Sequence, residues 1–145
     1  CLEPFASGPA IASRARNKLQ AYPESGIRHL VESGELNATS VFGLADRGDE
    51  AAIEVLNETV ACLGSALVSL VNLLSPQAVV LGGGVLRGAD TFVRLLEEHV
   101  RAQALRETVG TLRAFGVSQL EADKAGLIGA AGLVYHAECV QGHNT

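Results

Sequence analysis

From Thr59 through Leu86 the chain carries no charged residue. A stretch of that length must bury itself or cross a bilayer, and it limits the fold more than any other feature. Pro76 and three consecutive glycines, Gly82, Gly83 and Gly84, interrupt it. The apolar helical part runs to about 16 residues, short of the roughly 20 that span a bilayer. A buried helix feeding a buried strand fits the run and its interruptions, and no membrane contact is expected. "AVVLGGGV" is then expected as a central, parallel strand with both faces covered.

The helix begins upstream of the uncharged run. From Asp49 to about Leu74, apolar residues recur at steps of three and four, through Ile53, Leu56, Val60, Leu63, Leu67, Leu70 and Leu74. Asp49 is a good N-cap, and Ser75-Pro76 ends the helix because a residue before proline avoids the helical region. Earlier, residues 8–20 place Ala10, Ile11, Ala15 and Leu19 on one helical face. Tyr22, Pro23 and Gly26 break that pattern. Ile27–Val31 and "NATSVFGLADRG" read as two further short helices.

Thr91–Leu105 reads as an amphipathic helix with Phe92, Leu95, Leu96 and Val100 inward and Arg94, Glu97, Glu98 and Arg101 outward. "TLRAFGVSQL" is a second strand. Asp123, or the residues just after it, starts a last helix, "AGLIGAAGLVYHAE", whose small residues permit close helix packing. Helices, strand, helix, strand, helix is an α/β order. Two strands make no stable sheet alone, so further strands are expected outside this chain.

The 145 residues are enough for about one domain, and with 48% apolar and 19% charged residues the chain builds a core rather than a disordered tail. Net charge is −5, with no basic patch, so no nucleic-acid binding is expected of this segment. Three cysteines, Cys1, Cys62 and Cys139, form no disulfide framework and suit a reducing cytoplasm. No leader pattern is read at the start. Asn37-Ala38-Thr39 and Asn57-Glu58-Thr59 match the glycosylation pattern by chance. The chain has no methionine and opens on Cys1, which is expected of a piece of a longer polypeptide.

Three stretches invite chemistry. A strand that ends in glycines turns backbone N–H groups toward space that a nucleotide or phosphate can approach, and ligands of open α/β sheets sit beyond the carboxyl ends of strands. The pattern is neither G-x-G-x-x-G nor a P-loop, so a tight turn with close helix packing is the competing reading. Glu3, in "CLEPFASGPAI", stands ahead of a small-residue helix start, where a solvated or capping carboxylate is the plain alternative. His136, Cys139 and His143 are spaced to share a helix face and offer three zinc-type ligands, but they lie at the fraying end of the chain. Cys62, within "VACLGSALV", reads as a core thiol.

"CLEPFASGPAI", "RGDEAAIEVLNETVACLGSALVSLVNLLSPQAVVLGGGV" and "AGLIGAAGL", in that order, resemble the C-terminal portion of the ROK family, from Cys1 to about Tyr135. That family holds bacterial glucokinase-type sugar kinases and sugar-responsive transcriptional repressors. The resemblance implies an α/β fold, the C-terminal part of an actin-like, ribonuclease H-like sugar-kinase fold, with residues 1–145 forming an incomplete lobe. The family hallmark is E-x-G-H followed by C-x-C-G-x-x-G-C-x-E. "CLE" matches its last three positions. Cys1 is then implied as one ligand of a structural zinc and Glu3 as a contact to a sugar hydroxyl. Gly82, Gly83 and Gly84 match the family's glycine turn, at the adenosine end of a bound nucleotide.

The family's phosphate loop, its catalytic aspartate and three of its four zinc ligands precede this stretch. No catalytic residue is therefore expected in this chain, and alone it should phosphorylate nothing. The resemblance implies a parent that uses ATP and Mg to phosphorylate a hexose or amino sugar, or else a repressor whose sugar-sensing body lacks kinase activity. A homo-oligomer is implied in either case.

Overall fold

A computed structural model describes residues 2–86, 88–120, 124 and 126–133. Cys1, Asp123, His136, Cys139 and His143 lie outside the described residues. The chain begins with a single helical turn, α1 (Glu3–Ala6), and Ser7 separates it from α2 (Gly8–Lys18). Two short helices follow, α3 (Ile27–Glu32) and α4 (Ala38–Asp46). Then come the long α5 (Glu50–Leu74), strand β1 (Ala78–Leu81) and a 3-10 turn over Gly84–Leu86. Helices α6 (Asp90–Gln103) and α7 (Arg106–Val109) lead to strand β2 (Ala114–Val117). Residues 126–133 are helical and exposed, within the last helix expected from sequence.

Local chemistry sets the boundaries. Asn37 and Ser40 form a reciprocal capping box at the start of α4. Asp49 caps α5 by accepting from the Ala52 N–H at 3.0 Å, and it also accepts from Ser25 Oγ and the Gly26 N–H, which ties the α2–α3 connection to the same carboxylate. Ser75 closes α5 in the left-handed region at φ 46°, ahead of Pro76.

Helix α5 is the hub, packing against α1, α2, α4, α6 and α7. At 25 residues it is long and apolar enough to cross a membrane by length and composition. Its inner face is instead the core of the fold, with Val55, Thr59 and Val71 fully buried. Leu56, Val60 and Leu67 of the expected stripe are buried on that face, and Ile53 and Leu63 pack against it, but the stripe fails at its end. Leu70 and Leu74, assigned to it from sequence, are 51% and 67% exposed. The buried surface mixes Val55, Leu56, Val60, Leu67 and Val71 with the smaller Ala51, Ala52, Thr59 and Gly64. The apolar stripe therefore holds through the middle of the helix and departs from the buried surface only in its last turns, at Leu70 and Leu74. Cys62 is half-buried, not a core thiol.

The amphipathic α6 lays Phe92, Leu96 and Val100 on α5, as its pattern predicts. Phe92 stacks on Phe42 of α4, ring centroids 4.7 Å apart, which joins α4 to α6. Strands β1 and β2 are parallel, with Ala78 opposite Ala114 and Leu81 opposite Val117. The expected burial of β1 on both faces is not what the described residues give. Val79 and Leu81 pack on the core, while Ala78 and Val80 face outward and Val80 is 67% exposed. The described helices cover the Val79 and Leu81 side alone.

Candidate functional site

The glycine turn leaves β1 at its carboxyl end, where α/β sheets place their ligands. Of its three glycines only Gly83 has a conformation that demands glycine, at φ 126°. A Cβ built on Gly82, Gly83 or Gly84 meets no atom within 4 Å. Among the described residues, close packing against a helix therefore does not explain the triplet. The tight contact falls one step further on, where Val85 Cγ2 lies 3.4 Å from a Cβ built on Gly8 at the start of α2. The turn thus leans on the α1–α2 corner through Val85, while its own backbone stays open.

Two clefts meet at this turn. The first, of about 350 Å³, is mainly apolar and is lined by Glu3, Ser7, Leu63, Gly82, Gly83 and Phe92 among others. Sequence reasoning had Glu3 and the glycines as separate candidates; the fold brings Glu3, Gly82 and Gly83 to one cavity. Glu3 is exposed, and among the described residues its side chain has no hydrogen-bond or ion-pair partner. The second cleft lies on the Gly84 side and is polar, lined by Glu35, Asn37, Thr39 and Ser40 from the start of α4. A neighbouring cavity of about 410 Å³ carries Asn37, Thr39 and Gly84 on to Gly8 and Val85.

These α4 residues were missed in the sequence. Asn37 and Ser40 carry the signature of a helix cap, which they are, and a cap gives no hint of a second face turned toward a strand end 40-odd positions away in the chain. Cavity-lining residues such as these are recognised only after the fold sets α4 beside the turn. Metals fare differently: among the described residues no group of three or more His, Cys, Asp or Glu stands close enough to hold an ion.

Comparison with known proteins gives the chain its relatives. The chain is 35% identical to a glucokinase of Halalkalibacterium halodurans over 95% of its own length and 42% of the relative's. It is 28% identical to the DNA-binding transcriptional dual regulator NagC of Escherichia coli, over 94% of this chain and 32% of that protein. Its fold superposes on a ROK family glucokinase from Streptomyces griseus, solved in complex with glucose and AMPPNP, with a TM-score of 0.75, 28% identity and coverage of 92% of this chain and 44% of that one. The chain therefore spans less than half the length of these relatives, and its α/β fold is that of part of a sugar kinase. The ROK family model matches residues 1–137, and the chain belongs to the ROK family.

Proposed function

We propose that residues 1–145 are the C-terminal portion of a longer ATP-dependent sugar kinase of glucokinase type, acting on a hexose or amino sugar. The observation that carries this reading is the open backbone at Gly82, Gly83 and Gly84. Three residues without side chains face space that no described atom fills, at the strand end where nucleotides bind. In this reading the adenosine end of ATP lies along the turn. The amide of Asn37, the hydroxyl of Thr39 and the carboxylate of Glu35 offer donors and acceptors for base and ribose on the Gly84 side.

Glu3, in the adjoining and mainly apolar cleft, accepts a hydrogen bond from a sugar hydroxyl. ATP supplies the phosphoryl group when bound; these residues hold and orient, and the group that takes the hydroxyl proton belongs to the rest of the polypeptide. Cys1 is proposed as one thiolate ligand of a structural zinc, with the remaining ligands, and those of Mg, outside the described residues. The parent is further proposed to work in the cytoplasm as a homo-oligomer. The exposed Leu70, Leu73 and Leu74 at the end of α5 support a self-association surface.

The test is sugar-dependent ADP formation by the parent polypeptide, with Gly82→Ala alongside. The Cβ of that variant touches nothing in the chain, so stability should hold while AMPPNP binding is lost. Undiminished AMPPNP binding by Gly82→Ala would remove the turn from the nucleotide site. A second reading, the sugar-sensing body of a repressor, is supported by the match to NagC over 94% of this chain. A parent that forms no ADP, yet leaves its DNA when a hexose is added, decides for that reading.

A further inference from the structure

Helix α1 carries Glu3 and lies against α2 and α5 without burying a side chain. It is four residues long and buries none of them, and Phe5 is 52% exposed. Its tie to the interior is polar. Arg14 lies on α2 and reaches back to donate from Nη2 to the Phe5 carbonyl at 2.7 Å. The same nitrogen donates to Thr59 Oγ1, also at 2.7 Å. Thr59 is fully buried in α5 and donates onward to the Val55 carbonyl. Arg14 Nη1 faces Glu58 Oε2 at 3.6 Å. One guanidinium thus spans α2, the backbone of α1 and the buried face of α5.

Arg14 is mostly buried, and its Nε is enclosed with no partner among the described residues. Burying an arginine with one donor unmet is a poor way to join α2 to α5. Lys18, one turn further along α2, already makes that join, at 2.6 Å from Glu58 and 2.9 Å from Glu54. What Arg14 adds is a terminal nitrogen, Nη2, that meets Phe5 and Thr59 together while Nη1 is turned to Glu58, a spread of directions that a single lysine ammonium does not cover.

We propose that Arg14 is a positioning residue: it fixes α1 against α5, and so sets the Glu3 carboxylate in the cleft that ends at the glycine turn. Its effect falls on sugar affinity and leaves nucleotide affinity alone. The sugar part rests on the reading of Glu3 given above; the hold on α1 does not. The test compares Arg14→Lys, Thr59→Val and Lys18→Met in the parent polypeptide. Hydrogen exchange over residues 3–7 reports the hold on α1. Calorimetric titration with glucose and with AMPPNP reports the two affinities.

Arg14→Lys should speed exchange over residues 3–7 and weaken glucose binding about tenfold, the loss of one hydrogen bond to a charged group, with AMPPNP unchanged. Thr59→Val, which removes the inner acceptor while keeping shape, should move both readouts in the same direction but less. Lys18→Met should move neither, even where it lowers the melting temperature. Unchanged exchange over residues 3–7 in both Arg14→Lys and Thr59→Val overturns the proposal. So does parallel weakening of glucose and AMPPNP. If the unsubstituted protein binds no hexose, the reading of Glu3 falls, and exchange still decides whether Arg14 holds α1. If Arg14→Lys does not fold, Thr59→Val decides alone.

Discussion

Gly64 sits on the buried face of α5 beneath the ring of His99 on α6. A Cβ placed on Gly64 lies 2.5 Å from His99 Cδ2 and 2.9 Å from Cγ. In an exposed helix, replacing glycine by alanine stabilises by about 1 kcal/mol. Here the methyl must push a half-buried imidazole aside, and overpacking of this kind costs about 1–3 kcal/mol. The clash wins, and Gly64→Ala should lose about 1 kcal/mol net. In a His99→Ala background the obstruction is gone, and the same change should gain about 1 kcal/mol, a coupling of about 2 kcal/mol between the two sites. Urea unfolding followed by circular dichroism, with the four proteins of the cycle compared at equal slope, measures it. A stabilised single variant, or a cycle that sums with no coupling, would refute the reasoning that glycine is there to admit the α6 ring.

Other expectations are simpler. Asp49→Ala removes the acceptor for Ser25, Gly26 and Ala52, and should cost about 1–2 kcal/mol in the same unfolding assay. Ser75→Gly relieves a left-handed serine and keeps the carbonyl that accepts from Thr111, so it should raise the midpoint, by about 0.5–1 kcal/mol. Lys18 has its pKa raised above the ordinary 10.5, chiefly by its hydrogen bond to Glu58 and then by that to Glu54. Glu54 is lowered from the ordinary 4.5, chiefly by its hydrogen bond to Lys18. The contribution of these pairs is thus fully present from above pH 4.5 to below 10.5. It fades as pH falls through the lowered Glu54 value and as pH rises through the raised Lys18 value. Stability profiles of the unsubstituted protein and Lys18→Met should differ across that window and converge at both ends. Parallel profiles outside the window would show that the pairs contribute nothing.

Much of the fold is legible because it is local. The start of α5 at Asp49 and its stop at Ser75-Pro76 follow from cap and proline chemistry alone, and the inward face of α6 follows from period. What fails is what distance in the chain supplies. Helix α7 has four residues and no apolar period; Asn72 of α5 holds it by accepting from the Leu105 N–H and the Thr108 hydroxyl, some 35 positions away. The apolar period of α5 places Leu56, Val60 and Leu67 inside but misses that Leu70 and Leu74 are left exposed, and it gives no sign that Gly64 admits the His99 ring of α6. The glycine turn announced itself through what it lacks. Its neighbours did not. Glu3 reached the list through family resemblance, Asn37 and Thr39 not at all, and Arg14 looked like one more basic residue on an amphipathic helix.

The place of α5 has a consequence for how the molecule comes apart. Helices α1, α2, α4, α6 and α7 all pack on it, so no large group of these elements detaches while α5 stays intact. Unfolding should therefore be cooperative across α2, α4, α5 and α6, with one shared opening free energy for amides at Val55, Val60 and Val71. Helix α1 stands apart from that unit, since it contributes no buried side chain. The molecule joins a rigid body to one loosely held turn, and the carboxylate assigned to the sugar rides on the part that opens first.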